Sequence, residues 1–134
     1  MSVIDITSKA QFDSLIKDNP YVAVQAHAEW CGPCKAISPM FKKHAENFTL
    51  PSRYVFARFD TDEVRDLAQE LGIRSIPAFY FFEKGEKAAN LAGANPTALL
   101  KQVEEYAEKA KAAGDAVSAL PSQPPPLLRL PSGL

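Results

Sequence analysis

The sequence predicts an α/β fold in which a central five-stranded mixed sheet is flanked by four helices. Strand-like and helix-like segments alternate along residues 3–112, which is the pattern of a sheet packed between helices. Residues 21–27 are mostly apolar or small on both faces, as expected for a parallel strand covered on both sides. Residues 87–92 follow residues 78–82 after a tight turn, which predicts an antiparallel edge strand.

The first elements follow from short local patterns. Residues 3–6 are an apolar strand candidate. Ser8 and Gln11 have the spacing of a capping box, which begins a helix that ends before Pro20. A second helix is expected at about residues 34–47.

Proline and glycine mark the middle of the chain. Pro39 lies inside the second helix, where the loss of a backbone hydrogen bond predicts a kink. Residues 54–60 are the third strand candidate. Asp62 is placed to cap a short helix that ends before Gly72.

The last helix is expected to have Asn95 as its cap and Pro96 at its first position. Gly114 is expected past its end. Apolar residues at helical spacing give this helix a buried face: Leu99, Leu100, Val103, Tyr106, Ala107 and Ala110. We therefore divide the chain into a domain at residues 1–112 and a Pro-rich C-terminal extension at residues 113–134.

The C-terminal extension has no helical or strand periodicity, and its prolines favour an extended or disordered segment. Pro121 and Pro124 have the spacing of a polyproline ligand, but this pattern is weak evidence. Leu127, Leu128 and Leu130 can instead pack on the domain or on a neighbouring molecule. The role of the extension therefore stays open at this point.

Composition argues against several classes of protein. The chain has 134 residues, a net charge of −1 and 46% hydrophobic residues, which suits one core and gives no basic surplus for nucleic acid. The first residues lack a basic start followed by an apolar run, and no apolar run is long enough to span a bilayer. Two cysteines in such a chain fit a reducing compartment, so we expect a cytoplasmic protein that does not bind membranes.

The only two cysteines, Cys31 and Cys34, lie where a predicted strand passes into a predicted helix. A Cys-x-x-Cys pattern beside a strand–helix–strand unit is typical of a redox-active pair. Unpaired amides at the helix start favour a Cys31 thiolate, the nucleophilic form, and Cys34 is expected to be more buried and to resolve the mixed disulfide. Half of a zinc site is less favourable because His27 and His44 lack ligand spacing, and a structural disulfide gains little from so short a loop.

The motif Ala28-Glu29-Trp30-Cys31-Gly32-Pro33-Cys34-Lys35 resembles the active site of the thioredoxin family, and the resemblance extends over about residues 3–112. It implies a thioredoxin fold, and its Gly-Pro insert is similar to that of the reducing members. It also implies that Pro39 is the helix-kinking proline of the family.

The resemblance further implies a substrate-binding surface beside the cysteines, formed by Trp30, Ile76, Pro77, Ala92 and Gly93 together with Pro33. In the family the Ile76-Pro77 bond would be cis, although sequence alone favours trans. The alternatives to this binding role are that Trp30 is a packing aromatic and that Gly93 is a glycine in a turn at the end of a strand.

Two residues of the second strand depart from the family pattern. Gln25 stands where the family usually has a buried aspartate, and His27 where an aromatic is common. Arg58 matches the buried lysine that usually accompanies the aspartate. An amide does not titrate, so we expect Gln25 to hold a water or accept from Arg58, and His27 either to handle protons or simply to pack.

These observations predict an enzyme, a protein-disulfide reductase in which Cys31 attacks and Cys34 resolves. Disulfide-containing proteins would be its substrates, and the resemblance implies that thioredoxin reductase restores the dithiol. We expect no cofactor, no metal and a monomer, with contacts through the extension left open. The alternative, in a different class, is a redox-sensing interaction module of the same fold with little turnover.

Overall fold

The structure is a computed structural model that describes residues 3–119, with side chains as far as residue 113. Five strands and four helices follow one another in this part of the chain. They are β1 (Ile4–Ile6), α1 (Lys9–Asp18), β2 (Tyr21–His27), α2 (Gly32–Phe48), β3 (Tyr54–Asp60), α3 (Arg65–Leu71), β4 (Ala78–Glu83), β5 (Glu86–Ala92) and α4 (Pro96–Ala119). Within residues 3–119, every helix is too short or too polar to cross a membrane.

The strands form one mixed sheet in the order β1-β3-β2-β4-β5. β3 is parallel to both β1 and β2, whereas β4 is antiparallel to β2 and β5 is antiparallel to β4. The predicted five-stranded mixed sheet with four helices is therefore confirmed. β2 lies at the centre of the sheet, so the segment that follows its carboxyl end is held by the most completely paired strand.

Alternate residues of β2 face opposite sides of the sheet, as predicted. Val22 and Val24 contribute to a core cluster that includes Phe12 of α1 and Leu67 of α3. The other face carries Tyr21 and Ala23, and its cluster takes the apolar side chains of α2 and α4: Ile37, Phe41, Ala45, Leu99, Val103, Tyr106, Ala107 and Ala110. Both faces of the sheet are thus covered, and α2 is anchored along its length.

Local capping explains where α1 and α4 begin. The Ser8 hydroxyl accepts a hydrogen bond from the Gln11 amide at 3.0 Å, and Gln11 Oε1 accepts one from the Thr7 amide at 2.8 Å. The Asn95 side chain accepts from the Ala98 amide at 3.1 Å. Each accepted bond satisfies an amide that lacks a helical partner. Both predicted caps are confirmed.

Two predicted helix boundaries are wrong. Asp62 does not cap α3, because Val64 stands at the N-cap position and makes no side-chain bond to the helix. α2 begins at Gly32, two residues before the predicted start. Gly72 does end α3 in the left-handed conformation, with φ of 67°.

The last helix also differs from its prediction. α4 continues through Gly114 to Ala119, since one glycine in a helix costs only about 1 kcal/mol and does not break it. Leu100, which was predicted to be buried, is 37% exposed. Residues 120–134 lie outside the described residues, so the predictions for Pro121, Pro124 and the three leucines are untested.

Candidate active site

The two cysteines lie at the start of α2, directly after the loop that leaves β2. Cys31 is the N-cap residue, and its sulfur accepts a hydrogen bond from the Cys34 amide at 3.2 Å. The two residues are joined by a disulfide, with their Cα atoms 5.2 Å apart. An amide donor and the helix N-terminus both stabilise negative charge, so the same geometry favours a Cys31 thiolate once the bond is reduced.

Cys31 and Cys34 are buried to nearly the same extent in this oxidised state, with exposed fractions of 3% and 2%. Cys34 is the more buried of the two, as expected, but only by this small margin in the disulfide form. The physical reason is that Ala28 and Ile76 pack against both cysteines together. Next to them, Gly32 and Pro33 are exposed, and a Cβ atom on Gly32 would meet nothing within 4 Å.

The loop before β4 completes one side of the site. The Ile76-Pro77 bond is cis, as the family resemblance implied. The Gly93 amide donates to the Pro77 carbonyl at 2.8 Å, and Ala92 pairs with Ala78 in the sheet. The structure therefore brings Ile76, Pro77, Ala92 and Gly93 together beside the disulfide.

Trp30 is the most exposed large apolar side chain among the described residues, at 71%. It is not a core residue, which removes the packing alternative. Its indole Nε1 donates to Asp62 Oδ2 at 2.9 Å. Sequence reasoning gave Asp62 a different role and missed this contact.

Beneath the disulfide, Gln25 is 1% exposed and its amide nitrogen donates to the Ser38 hydroxyl at 2.9 Å. The Ser38 hydroxyl in turn donates to the Cys34 carbonyl at 2.6 Å. Gln25 thus lies where the sequence predicted, below the cysteines, but its partner is Ser38. The prediction missed Ser38, although a serine four positions after Cys34 in a helix has the spacing for this bond.

Arg58 does not pair with Gln25, contrary to one expectation. The two residues are neighbours in register across β2 and β3. However, Arg58 Nε donates to Asp5 Oδ1 at 2.7 Å, and the Arg58 side chain is 42% exposed. The guanidinium is turned towards solvent because Asp5 of β1 offers it a carboxylate there and Gln25 has no charge to attract it.

A cavity of about 670 Å³ opens beside this polar chain, and Gln25, His27, Cys34, Ser38 and Arg58 are among its lining residues. Burial lowers the pKa of His27, and the nearby Arg58 cation lowers it further. Three carboxylates, on Asp60, Glu29 and Asp5, act in the opposite direction but more weakly. This downward shift of the pKa favours the neutral imidazole, which is the form that can accept a proton.

The described residues include no group of three or more His, Cys, Asp or Glu side chains placed to hold a metal ion. The cysteine pair has a chemistry of its own. An amide-stabilised sulfur at a helix N-terminus, a second sulfur one turn into the helix and an open approach across Gly32 allow thiol–disulfide exchange.

Several known proteins are similar to this chain in sequence. A family model for thioredoxin matches residues 3–105. Thioredoxin-like protein 1 of Schizosaccharomyces pombe is 44% identical over 119 residues, which is 89% of this chain but only 41% of that protein. Thioredoxin 1 of Plasmodium falciparum is 40% identical over 102 residues, which is 76% of this chain and 95% of that protein.

Solved structures of thioredoxins also superpose on this chain. A structure of Plasmodium falciparum thioredoxin superposes with a TM-score of 0.74 at 39% identity, covering 78% of this chain and 99% of the other. Oxidised mitochondrial thioredoxin 3 of Saccharomyces cerevisiae gives 0.71 at 33% identity, covering 77% and 94%. The matched residues include both cysteines and the sheet that supports them, and the chain belongs to the thioredoxin family of thiol–disulfide oxidoreductases.

Proposed function

We propose that the protein reduces disulfide bonds in other proteins, with Cys31 as the attacking thiolate and Cys34 as the resolving thiol. The observation that carries this division of roles is the hydrogen bond from the Cys34 amide to the Cys31 sulfur at 3.2 Å. A donor at this place lowers the free energy of a thiolate on Cys31. Membership of the thioredoxin family and the close cysteine pair support reductase activity.

The reaction has two exchange steps. The Cys31 thiolate forms a bond to one sulfur of the target disulfide, and the other target sulfur leaves as a thiolate and takes up a proton. Cys34 then loses its proton and bonds to the Cys31 sulfur, which breaks the mixed disulfide and releases the second target thiolate to be protonated. The target gains two electrons, and the protein is left with the Cys31–Cys34 disulfide seen here.

A reductant must restore the dithiol after each turnover. Thioredoxins act on disulfide substrates and are reduced by thioredoxin reductase. We extend this to the present chain, whose Plasmodium falciparum relative is named a thioredoxin and is covered over 95% of its length. A coupled assay with thioredoxin reductase and its hydride donor tests the assignment.

Substrate peptides would bind across Trp30, Ile76, Pro77, Ala92 and Gly93. Ile76 packs against the two cysteines, and Trp30, next to Cys31 in the chain, presents a large exposed ring. Ile76 precedes β4 and lies outside the paired part of that strand, so its backbone groups are available to an extended peptide. The open space above Gly32 lets the target sulfur approach Cys31.

We also propose a cytoplasmic location and a monomeric state. The balanced charge of −1 and the use of both cysteines in one pair support these proposals. Cell fractionation tests the first, and sedimentation of the full chain at several concentrations tests the second. Self-association that depends on residues 113–134 would point to contacts through the extension.

Insulin reduction with dithiothreitol tests the activity directly. The wild type should accelerate precipitation of the insulin B chain, and Cys31→Ser should abolish the acceleration. A rate no higher than that of dithiothreitol alone would favour the redox-sensing interaction module. That second candidate is favoured by one observation, the uncharged Gln25 beneath the cysteines, because an amide supplies no general base for turnover.

A further inference from the structure

Ser38 lies between the buried strand and the resolving cysteine and has no role in the reaction as described so far. Its hydroxyl makes two hydrogen bonds, one to Gln25 and one to the Cys34 carbonyl. A hydroxyl has a single proton, and a carbonyl can only accept. The Ser38 hydroxyl therefore donates its one hydrogen bond to the Cys34 carbonyl, and its oxygen accepts a hydrogen bond from the Gln25 amide. A carboxylate at position 25 would have no N–H to donate.

The bond from Ser38 comes at a weakened point of α2. Pro39, the next residue, has no N–H, so the carbonyl of Lys35 loses its helical donor one position after Cys34. The first turn of the helix is then held by fewer backbone bonds than an ordinary turn. The side-chain bond from Ser38 to Cys34, at 2.6 Å, strengthens the turn where the resolving cysteine lies.

Gln25 gives this chain of bonds a rigid anchor. It belongs to the central strand β2 and is paired in register with Arg58 on one side and Phe79 on the other. Its side chain is 1% exposed. β2 is paired with a strand on each side, so Gln25 has a fixed position. Its hydrogen bond to Ser38 therefore holds the first part of α2 in place relative to the sheet.

We propose that Gln25 and Ser38 form an uncharged positioning pair that holds Cys34 where its sulfur can attack Cys31. The proposal rests on the reductase function given above and concerns only its second step. Neither residue contacts the reacting sulfurs by these bonds, so both act through the Cys34 backbone. The first step, attack by Cys31 on the target, does not depend on them.

Ellman's reagent separates the two steps because each exchange releases one coloured thionitrobenzoate. With the reduced protein in excess over the reagent, attack by Cys31 gives the first phase, and resolution by Cys34 gives the second. Loss of one hydrogen bond changes a rate by about fivefold. We expect Ser38→Val to slow the second phase by about that factor or more and to leave the first phase within about twofold.

Ser38→Thr is the matched variant, since Thr has nearly the shape of Val but keeps the hydroxyl. It should restore the second phase. Gln25→Leu should slow the second phase as well, and combining it with Ser38→Val should add little, because both remove the same chain of bonds. Ser14→Ala, at an exposed serine of α1, should change neither phase.

The outcomes distinguish this proposal from the function on which it rests. A wild type that releases no thionitrobenzoate would reject the reductase function itself. A normal first phase together with equal second phases in Ser38→Val and Ser38→Thr would overturn the positioning pair alone. Equal slowing of both phases would also overturn it, because that result indicates a general structural defect. Thermal unfolding of each reduced variant confirms that the compared proteins are folded.

Discussion

The indole Nε1 of Trp30 donates a hydrogen bond to Oδ2 of Asp62 at 2.9 Å. Asp62 is itself held in place, because its amide donates to Asp60 Oδ1 at 2.7 Å and its carbonyl accepts from Arg65 Nε at 3.3 Å. The turn after β3 thus fixes the exposed ring beside the disulfide. A ring that is 71% exposed would otherwise sample several orientations.

We therefore predict that Asp62→Ala loosens Trp30 and weakens binding of protein substrates. A hydrogen bond to a charged acceptor contributes at most about 1.5–3 kcal/mol, and the contribution is smaller where the groups are exposed to solvent. Because Trp30 is exposed, we expect loss of this bond to raise KM only a few-fold. Trp30 is the only tryptophan, so its fluorescence anisotropy reports its mobility directly. Asp62→Asn keeps an acceptor and should be close to the wild type, and Glu63→Ala should change nothing. Unchanged anisotropy in Asp62→Ala would contradict this account of the turn.

The second prediction concerns a carboxylate at position 25. Gln25→Asp supplies a base for the Cys34 proton, which is worth about 10²–10⁴-fold where fully used. That gain exceeds the roughly fivefold loss expected when the amide donor to Ser38 is removed. We therefore expect faster reduction of disulfides above neutral pH. The pH profile of the second thionitrobenzoate phase measures the effect.

The same substitution should cost stability at high pH. Burial raises the pKa of a carboxyl at this position above its unfolded value of about 3.9, so the folded state prefers the protonated form. Stability should therefore fall as the pH rises from about 4 through the folded pKa. Urea unfolding of the oxidised protein at several pH values checks the sign. If rate and stability both stay unchanged, the residue at position 25 does not influence the cysteines.

His27 provides the matching test of proton transfer in the wild type. If its neutral imidazole replaces the missing carboxylate, His27→Ala should slow the second phase in the wild type and have less effect in Gln25→Asp. A uniform effect in both backgrounds would show that His27 only packs. The lowered pKa of His27 allows this role at neutral pH.

The third prediction concerns pH and His44. Burial lowers the pKa of His44, with Glu104 acting weakly in the opposite direction, and its buried Nε2 has no hydrogen-bond partner among the described residues. His27 shifts in the same direction. As the pH falls, both histidines take up protons in the unfolded state before they do so in the folded state. The free energy of unfolding should therefore decline as the pH falls below about 6.5 and should be constant just above it.

His44→Leu should flatten part of this decline and should raise stability at pH 5.5, because it removes an unsatisfied polar atom beside Phe48. Urea unfolding of the two proteins at pH 5.5 and 7.5 gives the comparison. A decline of equal size in both proteins would assign the whole effect to other groups, His27 first among them.

The fourth prediction concerns the division of the chain into a domain and an extension. A protein that ends at residue 119, the end of α4, should keep the melting temperature and the insulin activity of the full chain. A loss of more than about 2 kcal/mol, the range for burying one leucine, would mean that Leu127, Leu128 or Leu130 packs on the domain. Replacing all three leucines by serine in the full chain distinguishes packing from an effect of chain length.

The strands and caps were predictable because they depend on neighbours in the sequence. The bounds of β2 and β3 agree with their predictions, since alternation and flanking turns define a strand locally. The same is true of the caps at Ser8 and Asn95. The cysteine pair and the residues around it required the family resemblance in addition, the cis bond at Ile76-Pro77 above all.

Three of the missed features depend on contacts between distant parts of the chain. Asp62 has the residue type of a helix cap, but Trp30, 32 positions away, takes its side chain. Arg58 was expected at Gln25, but Asp5 of a neighbouring strand lies within 2.7 Å of it. Leu100 has the helical spacing of a core residue, but it is partly exposed at the edge of the buried face of α4. Spacing within a helix does not show how wide a strip of that helix the rest of the protein covers.

Disulfide trapping tests directly whether Cys31 attacks and Cys34 resolves. Cys34→Ser and Cys31→Ser are each reduced, mixed with oxidised target protein and separated without a reducing agent. We expect Cys34→Ser to accumulate the mixed disulfide with the target and Cys31→Ser to accumulate almost none. Accumulation by Cys31→Ser and not by Cys34→Ser would contradict this assignment and reverse the roles of the two cysteines.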